Sequence, residues 1–374
     1  MACLGERNQM RTSKAPKLPV ALLLAASAVM APDVTTAGQA EDLEALMTER
    51  VLVGDPESGC TAGNGEECNR LAVWHREDNT PEGFTRAARF FEKACTLGHA
   101  AACNSLGLAY ENGEGVKKDL AKAVRCYSKA CDGKDLYACV NLGWMHESGQ
   151  GVKRNASKAA LLYRRSCDLG NMRGCANLGY LAETGEGIAK DLAQASSLYS
   201  KACDGGNARG CNNLGLVTER GQGVSKDLVK AAALYQKACD LGNAWGCHNL
   251  GLGFERGDGV SKDAGRAAAL YQKACDLGNS SGCLKLGAAY ERGGGVDADA
   301  ERAAHYYGLS CDKGESAGCV GLAVLYRKGQ DVMNQAALDK LIAELRSPVN
   351  EVRERAADKL VSLRTLAEGG RRLP

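Results

Sequence analysis

Cysteine is the residue type in this sequence whose number and spacing could support chemistry. Sixteen of the eighteen cysteines form eight pairs, and the two members of every pair lie eight positions apart. Regularly spaced cysteines can form disulfides or bind a metal. Zinc sites usually space their ligands two to four residues apart and often include histidine, and neither holds here, so we expect disulfides and no metal site. The expected pairs are Cys60–Cys68, Cys95–Cys103, Cys131–Cys139, Cys167–Cys175, Cys203–Cys211, Cys239–Cys247, Cys275–Cys283 and Cys311–Cys319.

Cys3 and Cys126 stand outside this pattern. Cys3 precedes an apolar N-terminal stretch, and we expect it to be removed together with that stretch. Most other repeats carry leucine or tyrosine at the position of Cys126, which favours a buried thiol that fills a core site. The alternative is a redox-active or intermolecular cysteine.

Catalytic motifs are almost absent. Ser310 to Lys313 match S-x-x-K, a pattern used by serine enzymes that act on β-lactams, but the partner motifs S-D-N and K-T-G do not occur. The match also contains Cys311, which the pairing above places in a disulfide. The five histidines form no H-x-x-x-H or similar pair. We therefore predict no catalytic residues and no cofactor.

The elements that position the cysteines recur every 36 residues, because the first cysteines from Cys95 to Cys311 follow one another at that interval. Such a period indicates a solenoid that stacks one structural unit. We count each unit from the second cysteine of a pair, so that position +3 is leucine in all eight units and position +4 is glycine in the six central ones. A glycine inside a helix costs roughly 1 kcal/mol relative to alanine. We expect that the glycine allows close approach by a neighbouring helix.

Each unit predicts two helices. The first helix ends in the pattern E-x-G-x-G-V, whose glycines at +10 and +12 can take the positive φ of a tight turn. An aspartate such as Asp227 then caps the second helix. The second helix has a single apolar face, which the Cys211 unit forms from Ala231, Leu234, Tyr235 and Ala238.

This geometry decides whether paired cysteines can meet. On one continuous helix, residues eight apart lie about 12 Å apart along the axis, whereas a disulfide needs Cα atoms within about 7 Å. A glycine follows the first cysteine of most pairs by three positions, as Gly242 follows Cys239, and typically ends a helix. The chain therefore doubles back, and the last turn of one helix can meet the first turns of the next.

The pattern LGxxxExGxGVxxDxxxAxxxYxxACDxGxxxGC, repeated over about residues 60–327, resembles the Sel1-like repeat, a relative of the tetratricopeptide repeat. The paired cysteines make the chain similar to the cysteine-rich Sel1-like proteins that some bacteria secrete, the Helicobacter cysteine-rich protein family. The resemblance implies an all-α fold, a right-handed αα-superhelix of about seven to eight repeats with one disulfide per repeat.

The same resemblance implies two alternative functions. Members of the family are often labelled β-lactamases or penicillin-binding proteins, which implies a hydrolase. A related cysteine-rich protein of the mitochondrial intermembrane space is linked to cytochrome oxidase assembly, which implies an assembly factor in that compartment.

More residues of the sequence support a binding face than support a catalytic site. Positions +2, +5 and +9 fall on one face of the first helix, and first helices tend to line the concave surface of repeat superhelices. Asparagines at +2 could hydrogen-bond a peptide backbone, and arginines at +9 could hold a carboxylate. The alternative is a solvated outer face. The candidate binding residues are Asn141, Asn177, Asn213, Asn249, Arg220, Arg256, Arg292, Trp144 and Tyr180.

The termini differ in composition from the repeats. Arg11, Lys14 and Lys17 precede an apolar run at residues 18–31, as in a secretory signal; the alternatives are an uncleaved anchor or a mitochondrial presequence. We assign residues 1–37 to a signal peptide, 38–59 to an N-terminal capping leader, 60–328 to the repeat array, 329–368 to C-terminal capping helices and 369–374 to a tail.

Export would explain the cysteines, since disulfides persist in the periplasm or outside the cell. The alternative location is the mitochondrial intermembrane space. The net charge of +2 gives no reason to expect nucleic acid as a partner, and we expect no membrane insertion after signal removal. We predict a monomer whose ligand is a protein or peptide, with peptidoglycan fragments as an alternative ligand.

Overall fold

The computed structural model describes residues 56–327, which form sixteen α-helices and no strand. The all-helical fold expected from the repeats is thereby confirmed. None of the described helices is both long enough and apolar enough to cross a membrane. The helices are α1 (Pro56–Thr61), α2 (Gly65–Glu77), α3 (Pro81–Thr96), α4 (Ala100–Asn112), α5 (Leu120–Asp132), α6 (Leu136–Ser148), α7 (Ala156–Asp168), α8 (Met172–Thr184), α9 (Leu192–Asp204), α10 (Ala208–Arg220), α11 (Leu228–Asp240), α12 (Ala244–Arg256), α13 (Ala264–Asp276), α14 (Ser280–Arg292), α15 (Ala300–Asp312) and α16 (Ser316–Arg327).

Each of the first seven repeat units is a helical hairpin with an even-numbered first helix and an odd-numbered second helix. In the Cys211 unit the turn between α10 and α11 contains Gly221 and Gly223, whose φ angles are 69° and 72°. The side chain of Asp227 then accepts a hydrogen bond of 2.9 Å from the backbone N–H of Lys230, which satisfies one of the unpaired donors at the start of α11. The predicted turn and the predicted cap are both confirmed.

Seven of the eight disulfides join one unit to the next, and Cys60–Cys68 joins α1 to the first unit. Their Cα atoms lie 4.4–4.7 Å apart, because the chain reverses at a glycine such as Gly242, whose φ is 83°. Each bond connects the end of one helix to the first helix of the following unit. One disulfide per repeat was expected and is confirmed. Cys126 is the free cysteine of the described residues, and it is half-buried.

The glycine at +4 packs against an aromatic ring. A Cβ added to Gly215 would lie 2.6 Å from a ring atom of Tyr235, and the other central units repeat this contact at 2.5–2.8 Å. The expectation of a close approach is therefore correct, but the neighbour is a tyrosine ring on the second helix of the same unit.

The same tyrosine binds a glutamate at +8 of its own first helix. The hydroxyl donates a hydrogen bond in six consecutive units, and the first unit has Ala72, Arg76 and Phe91 in place of the glycine, the glutamate and the tyrosine. The three residue types thus occur together or not at all. The six bonds join Tyr127 to Glu111, Tyr163 to Glu147, Tyr199 to Glu183, Tyr235 to Glu219, Tyr271 to Glu255 and Tyr307 to Glu291.

The first helices also pack against one another along the array, as α10 does against α12 and α12 against α14. Successive second helices make no comparable contact within residues 56–327. The first helices therefore lie on the tighter side of the stack. We call their outward-facing residues the first-helix face, and this is the face that carries positions +2, +5 and +9.

Candidate functional site

The four predicted asparagines are half-buried on the first-helix face, and side chains of the array already contact each of them. Most of these contacts reach the neighbouring unit, so the amides help to join one repeat to the next. An amide has two N–H donors and one oxygen with two lone pairs, so a single contact leaves further capacity. The distances are 3.0 Å from Asn141 Nδ2 to Asn104 Oδ1, 2.9 Å from Asn249 Nδ2 to Asn212 Oδ1, 3.2 Å from Arg209 Nη1 to Asn177 Oδ1 and 3.3 Å from Asn212 Nδ2 to Asn213 Oδ1.

The three predicted arginines are the last residues of α10, α12 and α14, and all three are exposed. None of them forms an ion pair with a residue of the described part of the chain. The glutamates that precede Arg220 and Arg256 in sequence bind other side chains. Glu219 accepts the Tyr235 hydroxyl, and Glu255 accepts the Tyr271 hydroxyl and pairs with Lys285 at 3.1 Å.

The two predicted aromatic residues are half-buried. Trp144 packs against the buried cluster that contains Leu142 and Met145, and Tyr180 packs against the cluster that contains Leu178 and Leu181. Much of each ring therefore contributes to the core, and less of it is left for a ligand.

Two of the arginines and one asparagine meet at a cleft of about 210 Å³ between α10, α11 and α12. Arg220, Asn249 and Arg256 all line it. The other predicted residues do not: Arg292, Asn141, Asn177, Asn213, Trp144 and Tyr180 lie elsewhere along the array. The remaining lining consists mainly of apolar side chains, among them Leu216, Leu228, Ala231, Ala232, Leu250 and Leu252.

Gly253 accounts for this cleft, which we call the Gly253 cleft. It occupies position +6 of the Cys247 unit, where six of the other seven units carry a buried apolar side chain. Its counterpart Val217 is 1 % exposed and belongs to a buried cluster with Ala195 and Tyr199 on the preceding second helix. A glycine at +6 fills none of that space. The counterparts are Ala109, Met145, Leu181, Val217, Ala289 and Leu325.

The polar part of the cleft has two cationic and two anionic side chains, namely Arg220, Arg256, Glu219 and Asp258. Glu219 accepts a hydrogen bond of 2.5 Å from Tyr235, which also lines the cleft. Burial, and then the bond to Glu219, raise the pKa of Tyr235, so its hydroxyl stays protonated and remains a donor. Neither this pair nor Gly253 was predicted from the sequence, although a glycine at an otherwise apolar position was a visible signal.

His248, beside the cleft-lining Asn249, is a second feature that sequence reasoning missed. It is buried against Trp245 and Tyr271, and its Nδ1 has no hydrogen-bond partner among the described residues. Burial lowers the pKa of His248 to about 4, and the nearby cations Lys285 and Arg256 also lower it. The side chain is therefore neutral at neutral pH and packs as an apolar ring.

Ser310, the serine of the S-x-x-K match, has a structural role. It is 0 % exposed, and its Oγ donates a hydrogen bond of 2.9 Å to the carbonyl oxygen of Ser280. Ser166 makes the equivalent bond to Leu136 at 2.7 Å. The neighbouring Cys311 forms its disulfide with Cys319. The geometry at Ser310 therefore gives no support to a serine hydrolase.

The Sel1 repeat family model matches seven consecutive segments of this chain, residues 68–99, 100–135, 136–171, 173–207, 208–243, 246–279 and 280–315. Each segment contains one helical hairpin with its cysteines. No curated protein matches the chain.

Solved structures of repeat proteins are similar to this chain. A protective antigen of uropathogenic Escherichia coli with an SLR fold is 27% identical with a TM-score of 0.62, over 84% of this chain and 72% of that one. A Sel1 repeat protein from Oxalobacter formigenes is 26% identical with a TM-score of 0.58, over 64% of this chain and 96% of that one. The Helicobacter pylori cysteine rich protein B is 36% identical with a TM-score of 0.30, over 36% of this chain and 97% of that one.

Proposed function

This chain belongs to the Sel1 repeat family, and we propose that it is an interaction scaffold that binds an extended peptide along its first-helix face. The observation that carries the proposal is the row of Arg220, Arg256 and Arg292. These side chains recur at the same position of three consecutive units, are exposed, and form no ion pair within residues 56–327. A row of unpaired cations on a rigid array favours a ligand that carries a carboxylate.

The asparagines supply the second part of the interaction. An extended peptide presents alternating N–H and C=O groups, and each asparagine amide can both donate and accept. Because Asn213 and Asn249 lie one unit apart on the same face, they can engage two separate backbone groups of one peptide while they keep their contacts within the array. A free peptide or the stem peptide of peptidoglycan has the required chemistry.

The expected strength follows from the exposure of the arginines. A hydrogen bond to a charged group contributes about 1.5–3 kcal/mol when it is partly shielded, and an exposed ion pair contributes about 0–1 kcal/mol. Arg220 and Arg256 sit at the rim of the Gly253 cleft, where a ligand would exclude water. We therefore expect about a tenfold loss of affinity when one of them is changed to an acidic residue.

The test starts with peptides selected from a phage-displayed random library on the purified oxidised protein. The dissociation constants of synthetic copies are then measured by fluorescence anisotropy at two salt concentrations. Arg256→Glu should weaken binding about tenfold, more at low salt than at high salt. Arg164→Glu is the matched control, because Arg164 is an exposed arginine on a second helix. If no peptide is selected, or if both variants bind equally well, the proposal is wrong.

The location of the scaffold is part of the proposal. The eight disulfides support an oxidising compartment outside the cytosol. We propose that residues 1–37 direct export and that residues 38–59 and 329–368 cover the two ends of the array. These segments lie outside the described residues, apart from the start of α1 at Pro56. N-terminal sequencing of the secreted protein should begin after residue 37, and an intact N-terminus would refute the export signal.

A further inference from the structure

We infer that the Gly253 cleft binds the C-terminal residue of the peptide, with an apolar side chain inside and the terminal carboxylate at Arg220 and Arg256. This inference rests on the proposed function and adds the class of ligand to it. The cleft lies between two adjacent units, whereas the proposed face runs along several.

The interior of the cleft fits an apolar group. Leu216 projects from α10, Leu228 from the start of α11, and Leu250 and Leu252 from α12. Leu250 is 2 % exposed, so this wall belongs to the core of the array. An alkyl or phenyl group that enters would move out of water and into contact with apolar side chains. This transfer of apolar surface out of water favours binding.

The size of the cleft suits one side chain. Its volume is about 210 Å³, and an engineered cavity of about 150 Å³ with an apolar lining binds benzene. A leucine, isoleucine or phenylalanine side chain is of this size. The space exists because Gly253 lacks the side chain that Val217 supplies in the preceding unit.

The charges at the rim fit a chain terminus better than an acidic side chain in mid-chain. Arg220 and Arg256 come from the ends of α10 and α12 and can approach one carboxylate from two sides. Glu219 already accepts the Tyr235 hydroxyl. The Asp258 carboxylate and the Asn249 amide can meet the N–H and C=O of the last peptide bond. A second negative charge would be repelled by Asp258.

The probes are three fluorescein-labelled hexapeptides, Gly-Ser-Gly-Ser-Ala-Leu with a free carboxylate, its C-terminal amide, and the same sequence that ends in aspartate. We expect the free leucine peptide to bind about tenfold more tightly than the other two. Tenfold corresponds to 1.4 kcal/mol, which is less than full burial of a leucine side chain contributes.

Gly253→Val fills the cleft with the side chain that the preceding unit carries at the same position, so the variant should fold. It should weaken the free leucine peptide about tenfold. Ala289→Val makes a valine at the same position of the next unit, outside the cleft, and should leave binding unchanged. Circular dichroism and the melting temperature confirm that both variants are folded.

The outcomes separate the two hypotheses. If the three probes bind equally, or if Gly253→Val binds the leucine peptide as well as the original chain does, the cleft is not the anchor. The proposed function survives that result when peptides selected from the library still lose affinity in Arg256→Glu. If neither the probes nor any selected peptide bind, both hypotheses fail.

Discussion

Alanine in place of Gly215 and alanine in place of Gly253 should change the stability of this protein in opposite directions. Both glycines lie inside first helices, on α10 and α12. A Cβ at position 215 would lie 2.6 Å from the ring of Tyr235, whereas a Cβ at position 253 would meet nothing nearer than the backbone oxygen of Asp258 at 3.3 Å. The two substitutions therefore share their effect on the helix and differ in their effect on packing.

The magnitudes follow from these distances. Alanine stabilises a helix interior by about 0.8–1.0 kcal/mol relative to glycine. Gly253→Ala should gain part of this, because the Asp258 carbonyl in the following turn must shift slightly to admit the methyl group. Gly215→Ala must displace a buried ring, and overpacking of that kind typically costs 1–3 kcal/mol. If the ring moves, the hydrogen bond of 2.5 Å to Glu219 is also strained or lost, and such bonds to charged groups contribute about 1.5–3 kcal/mol. We expect a net loss of about 2–4 kcal/mol.

The assay is urea denaturation of the oxidised protein, followed by circular dichroism, with amide hydrogen exchange of α10 and α11 to localise the change. Repeats couple mainly to their neighbours, so protection should fall in these helices first. If Gly215→Ala is as stable as the original chain, or if Gly253→Ala loses as much stability as Gly215→Ala, the account of the +4 glycine is refuted.

Two further predictions use groups whose titration the structure shifts. His248 has a pKa of about 4 in the folded chain against an ordinary value of 6.5, so the free energy of unfolding should fall by about 3 kcal/mol in all as the pH falls from 6.5 through 4. His248→Leu should flatten this dependence of stability on pH, measured by urea titrations at pH 7, 5 and 4. An unchanged dependence would assign the loss to other groups. Burial raises the pKa of Cys126 from 9.0 to about 11, so iodoacetamide at neutral pH should label it about 100-fold more slowly than an unperturbed thiol. Mass spectrometry measures the labelling rate, and labelling at the rate of an unperturbed thiol would favour the redox-active alternative.

The cysteine period was sufficient to predict the hairpin and the disulfides. Cys203 and Cys211 recur at the interval of one unit, and the glycine between them requires a reversal, so few geometries are possible. The turn glycines and the cap at Asp227 were equally predictable, because they depend only on local backbone chemistry.

The Tyr235–Glu219 contact could not be obtained in this way. The two residues are 16 positions apart on opposite arms of a hairpin, and whether they meet depends on how α10 and α11 rotate about their axes. Spacing alone does not specify that rotation. One signal was nevertheless present, because the first unit has Ala72, Arg76 and Phe91 at the three positions concerned.

The candidate site was partly predicted. Arg220, Arg256 and Asn249 were named from a helical face, and the structure brings these three to one cleft. The asparagine row was expected to face a ligand, and the structure also uses it between units, as in the bond from Asn249 to Asn212. Periodicity shows which residues share one face of a helix. It does not show which of those residues contact a neighbouring repeat and which are left for a ligand.

The persistence of the Gly253 cleft follows from the contacts that surround it. A missing side chain costs most where the neighbours cannot collapse into the space, and collapse here would require α10, α11 and α12 to move together. The disulfide Cys239–Cys247 fixes the end of α11 to α12, and the bond from Tyr235 to Glu219 fixes α11 to α10. All three helices are thus tied to one another, by a disulfide beside the cleft and by a hydrogen bond in its wall. The repeated positions make the array rigid, and that rigidity lets a single departure from the repeat remain open as a site.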